Sequence, residues 1–124
     1  NMQMVAAFVY IITNKHHTTL YVGVTSDLSG RILKHQQKLF PKSFSAKYNL
    51  DKLVYYEVYE TMAKAIAREK QLKAGPRKQK IALIKKYNPE WKDLFDLISN
   101  DEWDKYPLIP DCKTNIDPNT TRKS

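Results

Sequence analysis

Two short apolar runs open the chain, Val5–Thr13 and Leu20–Thr25, both rich in β-branched and aromatic residues. The polar stretch Asn14–Thr19 between them makes the pair read as a β-hairpin. Thr25-Ser26-Asp27 is a cluster of capping side chains. It predicts a helix over about Leu28–Lys38, with Leu28, Ile32 and Leu39 marking its buried stripe. Phe40–Leu50 contains Pro41 and several Lys and Ser residues, and reads as a loop. Leu53–Tyr59 alternates as a third strand would. Thr61 then caps a helix running to about Ala74, and Gly75-Pro76 stops it. A third helix is expected over Arg77–Tyr87. Asn88-Pro89 would cap a fourth, Glu90–Ile98, with Trp91, Leu94, Phe95 and Ile98 on one face.

The order ββ-α-β-α-α-α predicts an α+β domain over residues 1–98, a small three-stranded antiparallel sheet flanked by helices. Residues 99–124 read as a C-terminal extension. Pro107, Pro110 and Pro118 argue against regular structure there, Trp103, Tyr106, Leu108 and Ile109 could dock it, and past Cys112 a flexible tail is expected. Asn1 ahead of Met2 reads as a residue added before a natural start.

Charge changes this picture more than composition does. The net charge is +8 over 124 residues, enough chain for one domain. The charge is unevenly spread: residues 1–62 contribute +3, residues 63–92 contribute +8 and residues 93–124 contribute −3. A field so concentrated suggests a polyanionic partner, with nucleic acid ahead of an anionic membrane surface. Solvated lysines on helix faces are the plainer reading. Cys112 is the only cysteine, which excludes a disulfide framework or a thiolate metal cluster and fits a reducing, cytoplasmic setting. Val5–Ile12 is too short to span a membrane and lacks the basic flank of a signal peptide.

A few residues sit oddly for packing alone. In TMAKAIAREKQLKAG, the stripe Met62, Ala65, Ile66 and Leu72 includes Glu69, whereas Lys64, Arg68 and Lys70 are expected to point elsewhere. A carboxylate on the core side must be paired, hydrated or bound to a cation. It either pairs with Arg31, sits at the margin of the stripe, or serves as a metal ligand. A lone carboxylate with several waters suits Mg²⁺ and not a closed zinc site. Arg31 and His35, four residues apart, share one helix face, where Arg could clamp a phosphate and His pass a proton near neutral pH. As an isolated pattern, they are equally two solvated polar residues.

Tyr10 and Tyr21 are ordinary strand residues individually, and a phenol becomes a base only where cations lower its pKa. Arg31 and a Mg²⁺ on Glu69 would supply those cations. Gly23 is consistent with close approach by a ligand or a helix. His16 and His17 lack a metal-ligand pattern and read as solvent-exposed.

Taken together, these residues resemble the GIY-YIG nuclease superfamily. Val9-Tyr10 stands for the end of the first motif and Tyr21-Val22-Gly23 for the second, with ten residues between the tyrosines. Thr25, Asp27-Leu28, Arg31 and His35 follow in the order of the family's first helix, and Glu69 in AIAREKQLK matches its glutamate helix. The resemblance covers about residues 5–98. It is closest to small stand-alone bacterial proteins related to the amino-terminal nuclease domain of the excision-repair incision subunit, and YNPEWKDL also looks like that group. The chain departs at the first motif, where Phe8-Val9 replaces Gly-Ile.

The resemblance implies a Mg²⁺- or Mn²⁺-dependent DNA endonuclease, with a role in DNA repair or recombination. Glu69 would hold the metal, Arg31 would neutralise charge on the phosphate, and Tyr10 would act as base with His35 or Tyr21 assisting. Lys70, Lys73, Arg77, Lys78, Lys80, Lys85 and Lys86 would hold the DNA backbone without reading sequence. Asn88 either matches the asparagine that many members place after the glutamate helix or simply caps a helix before Pro89. The competing readings are a non-catalytic nucleic-acid-binding module on the same fold and a membrane- or protein-interaction domain. With no second domain for sequence recognition, a protein partner could supply targeting.

Overall fold

The computed structural model describes residues 6–37 and 47–99. Its sheet has strand β1 (Ala7–Thr13) in the centre, with β2 (Leu20–Thr25) and β3 (Lys52–Tyr59) antiparallel on either side. The helices are α1 (Leu28–Gln37), α2 (Met62–Ala74), α3 (Arg77–Tyr87) and the short α4 (Phe95–Ser99). This is the expected α+β architecture.

Both faces of the sheet are covered, and the pleat assigns residues to them alternately. Ala7, Val9 and Ile11 join Val22, Tyr55 and Tyr59 in a cluster closed by Ala65 and Leu72 of α2 and Ile84 of α3. Tyr10 and Ile12 join Leu53, Tyr56 and Val58 in a second cluster, closed by Leu28 and Ile32 of α1 with Leu50 and Leu94. A strand buried on both sides has no polar face to show, so β1 reads as one apolar run.

Local signals set most helix ends. Asp27 Oδ1 accepts from the Gly30 amide at 3.1 Å, and Thr25 Oγ1 accepts from the Asp27 amide at 3.0 Å, which together open α1. Thr61 Oγ1 accepts from the Lys64 amide at 3.2 Å and opens α2. Beyond its last turn the Gly75 amide donates to the carbonyls of Gln71 and Leu72, and Lys80 Nζ donates to the Gly75 carbonyl at 2.9 Å.

Several expectations need correction. The fourth helix does not run Glu90–Ile98 but is confined to Phe95–Ser99. Asn88 ends α3 instead of starting a helix: its amide donates to the Ile84 carbonyl, and its side chain donates to the Val54 and Lys92 carbonyls while accepting from the Lys92 amide. Those bonds bend residues 89–94 back onto β3, where the Leu94 amide donates to the Leu53 carbonyl. Ile66, placed on the core stripe, is exposed, and only Ala65 and Leu72 of α2 are fully buried. His17 is half-buried rather than fully exposed, its ring stacked on Trp91 at 4.3 Å with the planes 14° apart. Leu39 and the expected 99–124 extension, apart from the last residue of α4, lie outside the described residues.

A further correction concerns Arg68, which turns inward. Its Nε and Nη2 donate to the carboxylate of Glu57, which is wholly buried on β3 between Tyr55 and Tyr59. Both phenols also donate to that carboxylate, at 2.5 and 2.6 Å. The alternation of β3 aims Tyr55, Glu57 and Tyr59 at the same helix, so the buried charge is met by a guanidinium and two hydroxyls. Burial of a charge is tolerated only with such partners.

Removing the cation would strand the carboxylate. Arg68→Met should therefore lower unfolding stability by about 3 kcal/mol, whereas the exposed Lys70→Met should change it by less than about 0.5 kcal/mol. Urea denaturation of both variants checks this, and equal midpoints would show that the buried pair does not hold α2.

Candidate active site

Tyr10 lies in the middle of the central strand, with Gly23 directly opposite on β2 and Tyr56 opposite on β3. Its ring leans across Gly23: a Cβ built at that glycine would overlap the Tyr10 Cζ and hydroxyl. Gly23 is therefore needed here for close approach by a side chain of its own sheet rather than for an unusual backbone angle. The ring's path carries the phenol towards α1, where its hydroxyl lies 3.1 Å from His35 Nε2.

Tyr21, opposite Ile12 on the same face, stands next to the same imidazole, with ring centroids 6.1 Å apart. Arg31 lies one helical turn before His35 on α1. It acts electrostatically on both Tyr10 and His35, although its own side chain reaches solvent.

Glu69 comes from the helix on the opposite face of the sheet. It meets the others because β2 is an edge strand, and α2 packs over β1 and β2. Glu69 lies close enough to Tyr10 to affect its ionisation. Its carboxylate is 13% exposed and pairs with Lys73 Nζ at 2.8 Å, not with Arg31. The same ammonium sits 5.4 Å from the centre of the Tyr21 ring. The structure thus brings Tyr10, Tyr21, Gly23, Arg31, His35 and Glu69 into one neighbourhood at the β2 edge.

Burial dominates the proton affinities in this neighbourhood. Burial is the largest influence and raises the Tyr10 pKa well above the ordinary phenol value; Tyr21 raises it further, Arg31 opposes, and Glu69 again raises it. Of the two cations expected to lower it, Arg31 alone is outweighed by desolvation. His35 moves the other way, its pKa lowered first by burial and then by Arg31. At neutral pH this pairs a protonated phenol with a neutral imidazole, and Tyr10 Oη donates to His35 Nε2 when the ring proton is on Nδ1.

The basic residues divide. Lys70, Lys78, Lys85 and Lys86 are exposed on α2 and α3. Lys73 pairs with Glu69, Lys80 holds the Gly75 carbonyl, and Arg77 donates to the His17 and Thr18 carbonyls at 2.7 and 3.2 Å, tying the hairpin loop to α3. Asn88 is buried and its side chain is used up in backbone bonds, which favours capping over a place at the site. Sequence reasoning missed Glu57–Arg68 and Glu69–Lys73. The second had a readable signal, an acid four residues before a lysine.

The sequence model described as the GIY-YIG catalytic domain matches residues 6–91, which is most of the chain. The chain belongs to the GIY-YIG family. Membership makes it a nuclease-family domain with DNA as the implied substrate. Its curated relatives include UPF0213 proteins of Staphylococcus aureus strains Mu50, N315 and MW2. Each is 36% identical over 78 residues, covering 63% of this chain and 93% of the relative. No solved structure gives a significant match. Of the first GIY-YIG motif only Tyr10 is strictly kept: Val9 faces α2 and α3, whereas Tyr10, with Phe8 beside it, packs on the face closed by α1. Among the described residues, no helix is long and apolar enough to cross a membrane.

The Tyr10–Gly23 contact is testable by adding one methyl. Gly23→Ala should cost about 1–3 kcal/mol in a chemical melt, as overpacking does. It should also shift the Tyr10 ring and His35 imidazole resonances in NMR spectra. Unchanged spectra would show that the ring does not lie across the glycine.

Proposed function

We propose that this chain is a divalent-metal-dependent DNA endonuclease in which Tyr10 and His35 form the proton-accepting pair. The observation that supports this most directly is the 3.1 Å contact between the Tyr10 hydroxyl and His35 Nε2, inside a cluster that also contains Tyr21, Arg31 and Glu69.

The donor set bears on the metal. Among the described residues no group of three or more His, Cys, Asp or Glu side chains converges. A single half-buried carboxylate fits Mg²⁺ or Mn²⁺ held mainly by water and substrate oxygens, and it does not fit a zinc cage. When bound at Glu69, such an ion would act as a Lewis acid on a phosphate oxygen and the leaving group.

The remaining work falls to the protein. Burial favours the protonated form of the Tyr10 phenol, and Arg31 alone does not offset it. The phenol gives its proton to neutral His35 as it takes one from the attacking water, so charge ends on the imidazole. Tyr21, beside the same ring, orients the water. Arg31, permanently charged at the mouth of the site, neutralises the charge that grows on the phosphate. Exposed Lys70, Lys78, Lys85 and Lys86 hold the backbone on either side, while Arg77 and Lys80 add field more than direct contact. The balance of these groups favours cleavage over a binding-only module. A cytoplasmic role in repair or recombination, with a protein partner supplying targeting, is the biological setting this reading favours.

Plasmid nicking with Mg²⁺ or Mn²⁺ tests the proposal, together with duplex, flapped, branched and single-stranded substrates. Glu69→Gln and Arg31→Ala should each lower cleavage at least ~100-fold while DNA binding persists. Wild-type rates in both variants, or no cleavage of any substrate, would favour the binding module. The pH profile gives a separate check. Because the His35 pKa is lowered, the imidazole stays neutral as pH falls past about 6.5. Cleavage should therefore hold through that value and decline only in more acidic solution. His35→Gln should remove the decline along with most of the rate.

A further inference from the structure

The site contains one cation that the proposed chemistry does not use. Lys73 was expected among the backbone-binding lysines, yet its Nζ lies 2.8 Å from Glu69 Oε2, the carboxylate assigned to the metal. Two features make this more than a surface pair. The carboxylate is 13% exposed while the lysine side chain is 48% exposed, so the acid is largely enclosed by the fold and the base comes to it from the solvent side. The ammonium also lies 5.4 Å from the centre of the Tyr21 ring, which confines it to the mouth of the cluster.

We propose that Lys73 is a positioning residue that acts as a built-in occupant of the metal site: its ammonium neutralises Glu69 and must be displaced before a divalent cation can bind there. This rests on the reading of Glu69 as the metal ligand. The physical basis is competition for one anion. A single carboxylate cannot keep a close ion pair with an ammonium and also serve a hydrated divalent cation without the two positive centres repelling each other. The lysine is better suited to this than an arginine would be. It is a compact point charge on a flexible stem, joined to the carboxylate by a single ion-pair contact, so it leaves without dismantling a bidentate fork. The helix supports the arrangement, since an acid four residues before a lysine is the favoured order for such a pair. The resting protein then keeps its lone carboxylate charge-balanced, and metal affinity is set by the difference between two cations rather than by the carboxylate alone.

The test is Mn²⁺ affinity of the full chain without DNA, measured by electron paramagnetic resonance at fixed pH and about 0.15 M salt. Four proteins are compared: wild type, Lys73→Met, Lys70→Met and Glu69→Gln. Lys70 removes the same charge from the next position on the helix, about 100° round from Glu69, where it does not face the carboxylate. Lys73→Met should bind Mn²⁺ about three- to fivefold more tightly than wild type, the upper range for breaking a half-exposed ion pair. Lys70→Met should change affinity by less than about twofold, given screening. Equal gains in both lysine variants would reduce the effect to net charge and overturn the proposal, as would no gain in Lys73→Met.

Glu69→Gln separates this from the parent reading. If it abolishes saturable Mn²⁺ binding while Lys73→Met matches wild type, the metal site stands and the occupant proposal fails. If it binds as wild type does, both fail. A second readout needs no variant. In a Mg²⁺ titration followed by NMR, the Lys73 Nζ and Glu69 Cδ signals should move with one saturation curve. A Lys73 signal that stays still while Glu69 moves would overturn displacement.

Discussion

Among the described residues the sheet is three strands wide, and this narrowness sets which groups can meet around Tyr10. Neighbouring strands lie about 4.8 Å apart, so a side chain on the central strand is one strand away from the edge. Tyr10 is on the face that packs α1, and Glu69 is on the helix that packs the other face. In a wider sheet these groups would be separated by a layer of strands. Here they meet round β2, and Gly23, the residue of β2 opposite Tyr10, leaves the room through which the phenol leans.

The rotation of α2 about its own axis then matters as much as its position. Consecutive residues of a helix point about 100° apart. Arg68 reaches towards β3 and is locked on the buried Glu57 carboxylate, which fixes the direction of Glu69 and, one turn later, Lys73, towards β2 and Tyr21. A buried ion pair on one side of the helix thus sets the direction of a more exposed one on the other. The two pairs differ in burial. Glu57 is wholly inaccessible and bound by four donors from three side chains, whereas Glu69 has one close ionic partner that solvent can reach.

Desolvation also divides labour among the titrating groups. It pushes the Tyr10 phenol towards staying protonated and His35 towards staying neutral, so the contact between them joins a phenol that keeps its proton to an imidazole that resists gaining one. Arg31 works against the first effect and with the second, because a nearby positive charge favours a phenolate and disfavours an imidazolium. The identity of the pair is thus set by burial, and its polarity is refined by one guanidinium.

The local elements were legible in the sequence because their causes are local. β1, β2, α1, α2 and α3 follow from strand composition, from capping by Asp27 and Thr61, and from the break at Gly75-Pro76. The spacing of Tyr10, Tyr21, Arg31, His35 and Glu69 was equally plain, as was the family they point to. What the sequence hid depends on groups far apart in the chain. Glu57 and Arg68 look like ordinary solvated charges until the pleat of β3 and the roll of α2 bring them together. Asn88 could have opened a helix, but the Val54 carbonyl, 34 residues away, made it an end instead. Residue types and spacing determined which chemistry this chain could hold. Only the tertiary packing decided which acid was buried, which was left to a cation, and which way the Tyr10 proton leans, because desolvation and ion pairing are set by neighbours in space.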